Sequence, residues 1–331
     1  MSKKIITIGE VMMRFNTPGY ERFLQADTYH LTYGGAEANV AISLAQLGMQ
    51  ASHVTAFPDN DFGLAARAYL RRMGLETDQV YLKEGRMGLY FLENGAMQRS
   101  SKIIYDRFDS AFSIWDGGEI DWDQVLDKAD WFHWTGITPA ISQQAADLLL
   151  DALKVANKKG VTVSGDINYR RNLWQYGKGP LDIMPELIRY TNVVVAGKTD
   201  FENCMDIQED DWITCCYEAK KYYPQIKYIT KTKRESVSAS HNNLHGVLWN
   251  GTEVLNSKSY EVTHIVDRVG GGDAYLAGLI YGLMHMNDQE ALEFATAATV
   301  LKHSIPGDAN LVKLDEILDL MNDKNVGKLL R

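Results

Sequence analysis

Along this chain, short and almost uninterrupted apolar stretches alternate with longer ones whose apolar residues return every three or four positions. "KIITIG" (Lys4–Gly9), "ASHVTAF" (Ala51–Phe57), "DWFHWTG", "GVTVSGD", "NVVVAG" and "IKYITKT" are of the first kind. Such runs suit strands of a parallel sheet buried on both faces. "GAEANVAISLAQLG", "DFGLAARAYLRRMG", "SQQAADLLLDALKVANKKG" and "DDWITCCYEAKKYY" are of the second kind and predict helices, with Gly48, Gly74 and Gly160 where C-terminal caps belong. The alternation predicts an α/β fold: a doubly wound, mostly parallel sheet flanked by helices and joined by right-handed crossovers. Ligands of such sheets bind beyond the carboxyl ends of the strands.

Residues 11–33 and about 86–112 break the rhythm, with strand-like patterns and no helix between them. They predict a small extra sheet projecting from the body. The Asn94-Gly95 dipeptide in "FLENGAMQ" predicts a tight hairpin turn there. No internal repeat or low-complexity linker interrupts the chain, so residues 1–331 are expected to form a single domain.

Composition narrows the classes. The 331 residues are 45% hydrophobic, and 34 Lys and Arg against 43 Asp and Glu give a net charge of −9. No basic footprint for nucleic acid is present. Cys204, Cys215 and Cys216 have no metal-site spacing, and such usage fits a reducing cytoplasm. The apolar run in "MSKKIITIGEVMM" is broken by Gly9 and Glu10 and fails as a signal peptide. No stretch reaches the roughly 18 apolar residues of a membrane span. A cytoplasmic protein without a membrane or nucleic-acid partner is expected.

Five segments could carry chemistry. In "DRVGGGDAY" (Asp267–Tyr275), three glycines let backbone N–H groups converge at a helix start, a cradle for phosphate, and Asp273 could accept a proton from a hydroxyl. A loop with Asp273 as a helix cap is the alternative. The following helix carries Gly278 and Gly282 one turn apart, which permits close packing. "YGGAEANVA" offers Gly34 and Gly35 for close substrate approach and Asn39 as donor and acceptor, or simply a turn and a helix start. Tyr105 and Arg107 in "IIYDRFDS" share a strand face, and an arginine fork there suits a carboxylate or phosphate; a surface ion pair with Asp106 or Asp109 is the other reading. "GDINYR" supplies Asp166, Asn168 and Arg170 at a strand end, with a turn cap the alternative for Asp166. "IPGDAN" places Asp308 after a Pro-Gly turn.

Together these segments, over essentially the whole chain, resemble the PfkB, or ribokinase-like, family of carbohydrate kinases. "YGGAEANVAISLAQLG" is similar to the family's N-terminal sugar-binding signature and "DRVGGGDAYLAGLIYG" to its C-terminal one. Within the family, "YDRFDSA", "DINYR" and "IPGDAN" most resemble 2-keto-3-deoxygluconate kinases. The resemblance implies ATP, Mg²⁺ and a sugar acid. It implies Asp273 as catalytic base and the N–H groups of Gly270, Gly271 and Gly272 as an anion hole. Gly34, Gly35, Asn39, Tyr90, Tyr105, Arg107, Arg170 and Asp308 would meet the sugar. Asn168, Thr232, Gly270 and Gly272 would lie toward the nucleotide. The two irregular segments would form a β-sheet lid that pairs with another subunit's lid in a homo-oligomer.

Four departures stand against that pattern. Arg268 replaces a common Thr and Gly271 a common Ala. "GKTD" (Gly197–Asp200) replaces the magnesium-linked N-x-x-E, leaving Asp200 as its counterpart, and "TKTKRESVSAS" lacks the nucleotide-loop glycines. A kinase for another sugar, such as fructose or a dehydro-deoxy acid, and a sugar-binding regulator without catalysis remain alternatives. A dinucleotide oxidoreductase is disfavoured because "KIITIGEVMMRF" lacks GxGxxG.

Overall fold

The buried apolar runs become one mixed sheet of ten strands in the computed structural model, which describes residues 3–239 and 241–324. Its strands are β1 (Lys4–Ile8), β4 (Gln50–Pro58), β5 (Val80–Lys83), β8 (Trp131–Thr135), β9 (Thr162–Asp166), β10 (Val193–Val195), β11 (Tyr228–Ser238), β12 (His241–Trp249), β13 (Val254–Asn256) and β14 (Tyr260–Val262). The order is β13-β12-β11-β10-β9-β8-β1-β4-β5, with β14 also pairing β12. From β5 to β11 every pairing is parallel, and β12 turns back antiparallel to β11.

Helices cover both faces, as continuous apolar strands require. One apolar cluster joins Phe132, Trp134, Val163 and Val194 to the helices Gln143–Lys158, Pro180–Ile188, Lys198–Cys204 and Trp212–Tyr222. A second joins Ile5, Val193 and Leu248 to the helices Ala36–Gln46, Gly271–His285 and Asp288–Lys302. The predicted caps Gly48, Gly74 and Gly160 all have positive φ. Among the described residues, no helix is long and apolar enough to cross a membrane.

The irregular segments supply a separate four-stranded sheet, ordered β3-β2-β6-β7, from β2 (Met12–Asn16), β3 (His30–Gly34), β6 (Leu89–Glu93) and β7 (Lys102–Asp106). The turn prediction there is corrected. The chain reverses between Ala96 and Arg99, whose backbones exchange bonds of 3.0 and 2.9 Å, with Met97 at φ 53°. Asn94 and Gly95 are occupied otherwise: the Asn94 amide donates to the Gly19 carbonyl, and Gly95 N–H donates to Ser101 Oγ.

The helices Gly271–His285 and Asp288–Lys302 pack through the two small residues singled out above. A Cβ on Gly282 would lie 2.5 Å from Ala291 Cα, and one on Gly278 would lie 2.8 Å from Ala295 Cα. Gly282→Val is therefore expected to lower stability by about 2–3 kcal/mol, the cost of overpacking a closed interface. The check is urea denaturation, with the midpoint falling and the slope unchanged.

Candidate active site

The carboxyl ends of β1 and β9, the inner side of the four-stranded sheet and the start of the helix Gly271–His285 enclose a cleft of about 430 Å³. The structure brings together there Gly34, Gly35, Asn39, Tyr90, Tyr105 and Arg107, with Asn168, Arg170, Gly270, Gly271, Gly272, Asp273 and Asp308. Two candidates lie outside its lining. Thr232 is exposed on β11, opposite Gly246, and Asp200 belongs to the first turn of the helix Lys198–Cys204.

Gly270 caps its helix with φ 82°, a conformation that favours glycine, and the Asp308 carbonyl leaves no room for a Cβ there. Asp273 is the third helical residue, so the cap is Gly270 and not Asp273. Its Oδ2 accepts a 2.7 Å bond from the Asn39 amide. Burial, then the nearby charges of Asp308 and Glu37, pushes its pKa up to about 7, against the Asn39 bond and the Lys302 charge. Arg268 ties the glycine loop to the β11–β12 hairpin, donating from Nε to the Ala239 carbonyl (2.9 Å) and from a terminal nitrogen to that of Ser238 (2.7 Å). Ala239 N–H in turn donates to the Met97 carbonyl across the cleft.

Two buried arginines organise the carboxylates. Arg14 on β2 bonds Asp308 at 2.7 Å and Asp267 at 2.6 Å, and Tyr90 OH donates to the other Asp308 oxygen. Burial works against the Arg14 charge, but the two aspartates outweigh it and its pKa rises; burial and Asp308 push the Tyr90 hydroxyl well above its usual range. Gly34 lies so close to the Asp308 carboxylate that a side chain cannot fit. Arg107, just beyond β7, is 5% exposed and donates through Nε (2.8 Å) to Glu10 Oε2, 2.5 Å from its terminal nitrogen. The alternative of a surface pair with Asp106 or Asp109 is therefore corrected to a buried pair with Glu10. Tyr105 packs beside Tyr90, ring centroids 5.8 Å apart, with the Arg107 guanidinium 6.0 Å from its own centroid. Glu37 is buried, accepts from the Thr135 and Thr138 hydroxyls at 2.8 and 2.6 Å, and has its pKa raised chiefly by burial.

Beyond β9, Asn168 takes a positive φ of 41° and Arg170 is exposed; among the described residues no carboxylate lies within 4.0 Å of Arg170. Half-buried Asp166 has its pKa pushed up to about 8, first by desolvation and then by the charges of Asp200 and Asp273. Asp200 spends one oxygen on Tyr169 N–H (3.0 Å) and the other on Gly197 N–H (2.7 Å), so it fastens the "DINYR" loop to the next helix start.

Arg14, Asp267, Glu10 and Glu37 are site residues that the sequence reading passed over. A faint signal existed for Arg14: in "MMRFN" the period-two pattern sets it on one face with Met12, a charge on an otherwise buried strand. Glu10 likewise interrupts an apolar run at a strand end, where sites belong.

The pfkB family carbohydrate kinase profile matches residues 2–312. A crystal structure of a Thermotoga maritima 2-dehydro-3-deoxygluconokinase is similar with a TM-score of 0.92 and 42% identity, over 97% of this chain and 99% of that one. A 2-dehydro-3-deoxygalactonokinase of Haloferax volcanii is 29% identical over 99% of both chains. A 5-dehydro-2-deoxygluconokinase of Clostridium botulinum is 27% identical over 97% of this chain and 93% of its own.

The raised pKa of Asp273 has a consequence for stability. Between its unfolded value near 4 and its folded value of about 7, the unfolded chain holds fewer protons, so stability falls as pH rises through that window. Asp273→Asn removes the penalty and still offers Asn39 an acceptor. Its stability is expected to exceed that of the parent at pH 8, by up to about 4 kcal/mol, and to match it near pH 3.5, read by thermal denaturation at both pH values.

Proposed function

The chain belongs to the pfkB family of carbohydrate kinases, and we propose on that premise that it transfers the γ-phosphoryl group of ATP to the primary hydroxyl of 2-keto-3-deoxygluconate. The product is 2-keto-3-deoxy-6-phosphogluconate. The observation that carries the choice of a sugar acid is the presence of Arg107 and Arg170 in the cleft that holds Asp273. A guanidinium fork matches a carboxylate, whereas a neutral sugar would leave the exposed Arg170 guanidinium with only the longer-range charges of Asp166 and Asp200. The relative named for gluconate supports the epimer chosen. The relative named for galactonate favours a second reading, in which the C4 epimer is the better substrate.

Phosphoryl transfer is mainly positioning and charge stabilisation. Asp273 takes the proton of the attacking hydroxyl, and a base with a pKa of about 7 is ionised enough at neutral pH to do so. Asn39 holds one of its oxygens, leaving the other for the proton. N–H groups of Gly270 to Gly272, at the positive end of a helix, offset the charge on the phosphoryl oxygens. Gly34, Gly35, Tyr90, Tyr105 and Asp308 surround the sugar, and Asn168 faces the nucleotide phosphates, with Thr232 farther along its path. The four-stranded sheet acts as a lid that keeps water from the reacting groups. Its outer face, with Leu31 and Ile104 exposed, would pair two copies in a homo-oligomer.

The residues present fit a magnesium ion. Mg²⁺ asks for one or two carboxylates beside substrate phosphates, and Asp166 is a cleft carboxylate whose charge the Asn168 backbone N–H and the Arg170 guanidinium offset only in part. Asp166 would hold the ion, with Asp200 adding charge behind it. When bound, the ion neutralises the ATP phosphates.

A coupled ADP-release assay over sugars and sugar acids tests this function. The acid, or its C4 epimer, is expected to exceed fructose in kcat/KM by more than about 1000-fold, the scale on which a site built for a polar group rejects its absence. Arg170→Ala should cost the acid about 100-fold and the neutral sugar little; equal losses would remove the carboxylate argument. For the parent enzyme, kcat/KM should rise with pH up to about 7 and level off above it, because Asp273 acts deprotonated.

A further inference from the structure

One buried ionisable group takes no part in the steps above. Lys302, the last residue of the helix Asp288–Lys302, is wholly excluded from solvent. Its ammonium donates to the Ile305 carbonyl at 3.1 Å. A Cβ on Gly270 would lie 3.3 Å from its Cε, so the side chain runs directly beneath the first glycine of the cradle.

The same helix end seats the rest of that loop. Thr299 Oγ1 donates to the Gly271 carbonyl at 2.6 Å, and the His303 carbonyl accepts from Val266 N–H at 2.8 Å. The negative end of the helix dipole thus abuts the place where phosphate charge has to be received, an arrangement unfavourable by itself. Burying an ammonium costs several kcal/mol unless nearby charge offsets it. Burial lowers the Lys302 pKa, and the carboxylates of Asp267, Asp308 and Asp273 oppose that shift. Among the described residues, none of them comes within 4.0 Å of its nitrogen. Lys302 therefore acts through a field and not as one half of an ion pair. Without it, Arg14 would be left as the buried cation beside Asp267 and Asp308, and Asp273 would lose the cation nearest it.

We propose that Lys302 is a positioning residue for phosphoryl transfer, whose buried charge cancels the negative helix end and part of the Asp267–Asp308 charge beneath the glycine cradle. Two effects follow: the cradle N–H groups keep a potential favourable to phosphate, and Asp273 stays ionised at neutral pH. The groups that face Asp273 are the Asn39 amide and Glu37 on the helix Ala36–Gln46, Asp308 on the loop after His303, Asp166 at the end of β9, and Lys302 itself. Lys302 is the cation among them. The inference rests on Asp273 being the base.

Lys302→Gln keeps a donor for the Ile305 carbonyl and removes the charge; Lys302→Met removes both. With each, kcat is expected to fall about 10–100-fold while KM for ATP and for the sugar acid stays within about threefold. The acid limb of kcat/KM should move up by about one pH unit, since an anion loses its nearby cation. Thermal denaturation establishes that the variants are folded. A normal kcat with an unmoved pH limb overturns the proposal, as does a loss confined to sugar KM. Failure of both variants to fold overturns it too, by assigning Lys302 to the fold alone. Asp273→Asn is run beside them: turnover in that variant would sink the base assignment, whereas a silent Asp273→Asn with an unaffected Lys302→Gln sinks only the role of Lys302.

Discussion

Arg14 leaves the four-stranded sheet and enters the body of the protein, where its guanidinium meets Asp308 at 2.7 Å and Asp267 at 2.6 Å. Its partners stand 294 and 253 residues away along the chain. Asp267 begins the glycine loop, and Asp308 lies against both Gly34 and Gly270. One buried charge therefore fixes the relation of the extra sheet to the loop that opens the helix Gly271–His285. Removing one member of such a group leaves unpaired charge in a low-dielectric interior, at a cost of about 3–5 kcal/mol.

Around this clamp the cleft is short of positive charge. Asp273, Asp308, Glu37 and Asp166 all have raised pKa values, each primarily through burial, and for Asp273 and Asp166 the neighbouring carboxylates add to it. An acidic cleft would be an odd receiver for the proposed sugar acid and nucleotide until its cations are placed. Arg170 has no carboxylate within 4.0 Å among the described residues, Arg107 is paired with Glu10, and the glycine loop adds backbone N–H groups. Two aspartates with pKa values near 7 and 8 give the site a protonation state that ligands can set.

The sheet was legible because a parallel strand buried on both faces has to be apolar throughout, as in "NVVVAG". The helix start after the three glycines was legible because glycine admits the positive φ that Gly270 takes, whereas a loop with a cap and an anion cradle share the same residues. Arg14, Glu10 and Glu37 were not, since their significance lies in partners on distant elements that no local pattern marks. The hairpin turn moved away from Asn94-Gly95 for a related reason: Ser101 and Gly19 claim those two residues from elsewhere in the sheet. Arg268, a departure from the family pattern, has a structural account in its bonds to the Ser238 and Ala239 carbonyls.

Phosphorus NMR of the reaction of ATP with 2-keto-3-deoxygluconate tests most directly that an aspartate at a helix start delivers phosphate to a primary hydroxyl. The predicted product is a new phosphomonoester whose phosphorus is coupled to the two protons of a terminal CH₂ group, formed in step with ADP. Release of inorganic phosphate alone, or a phosphorus coupled to a single proton of a secondary carbon, would contradict it.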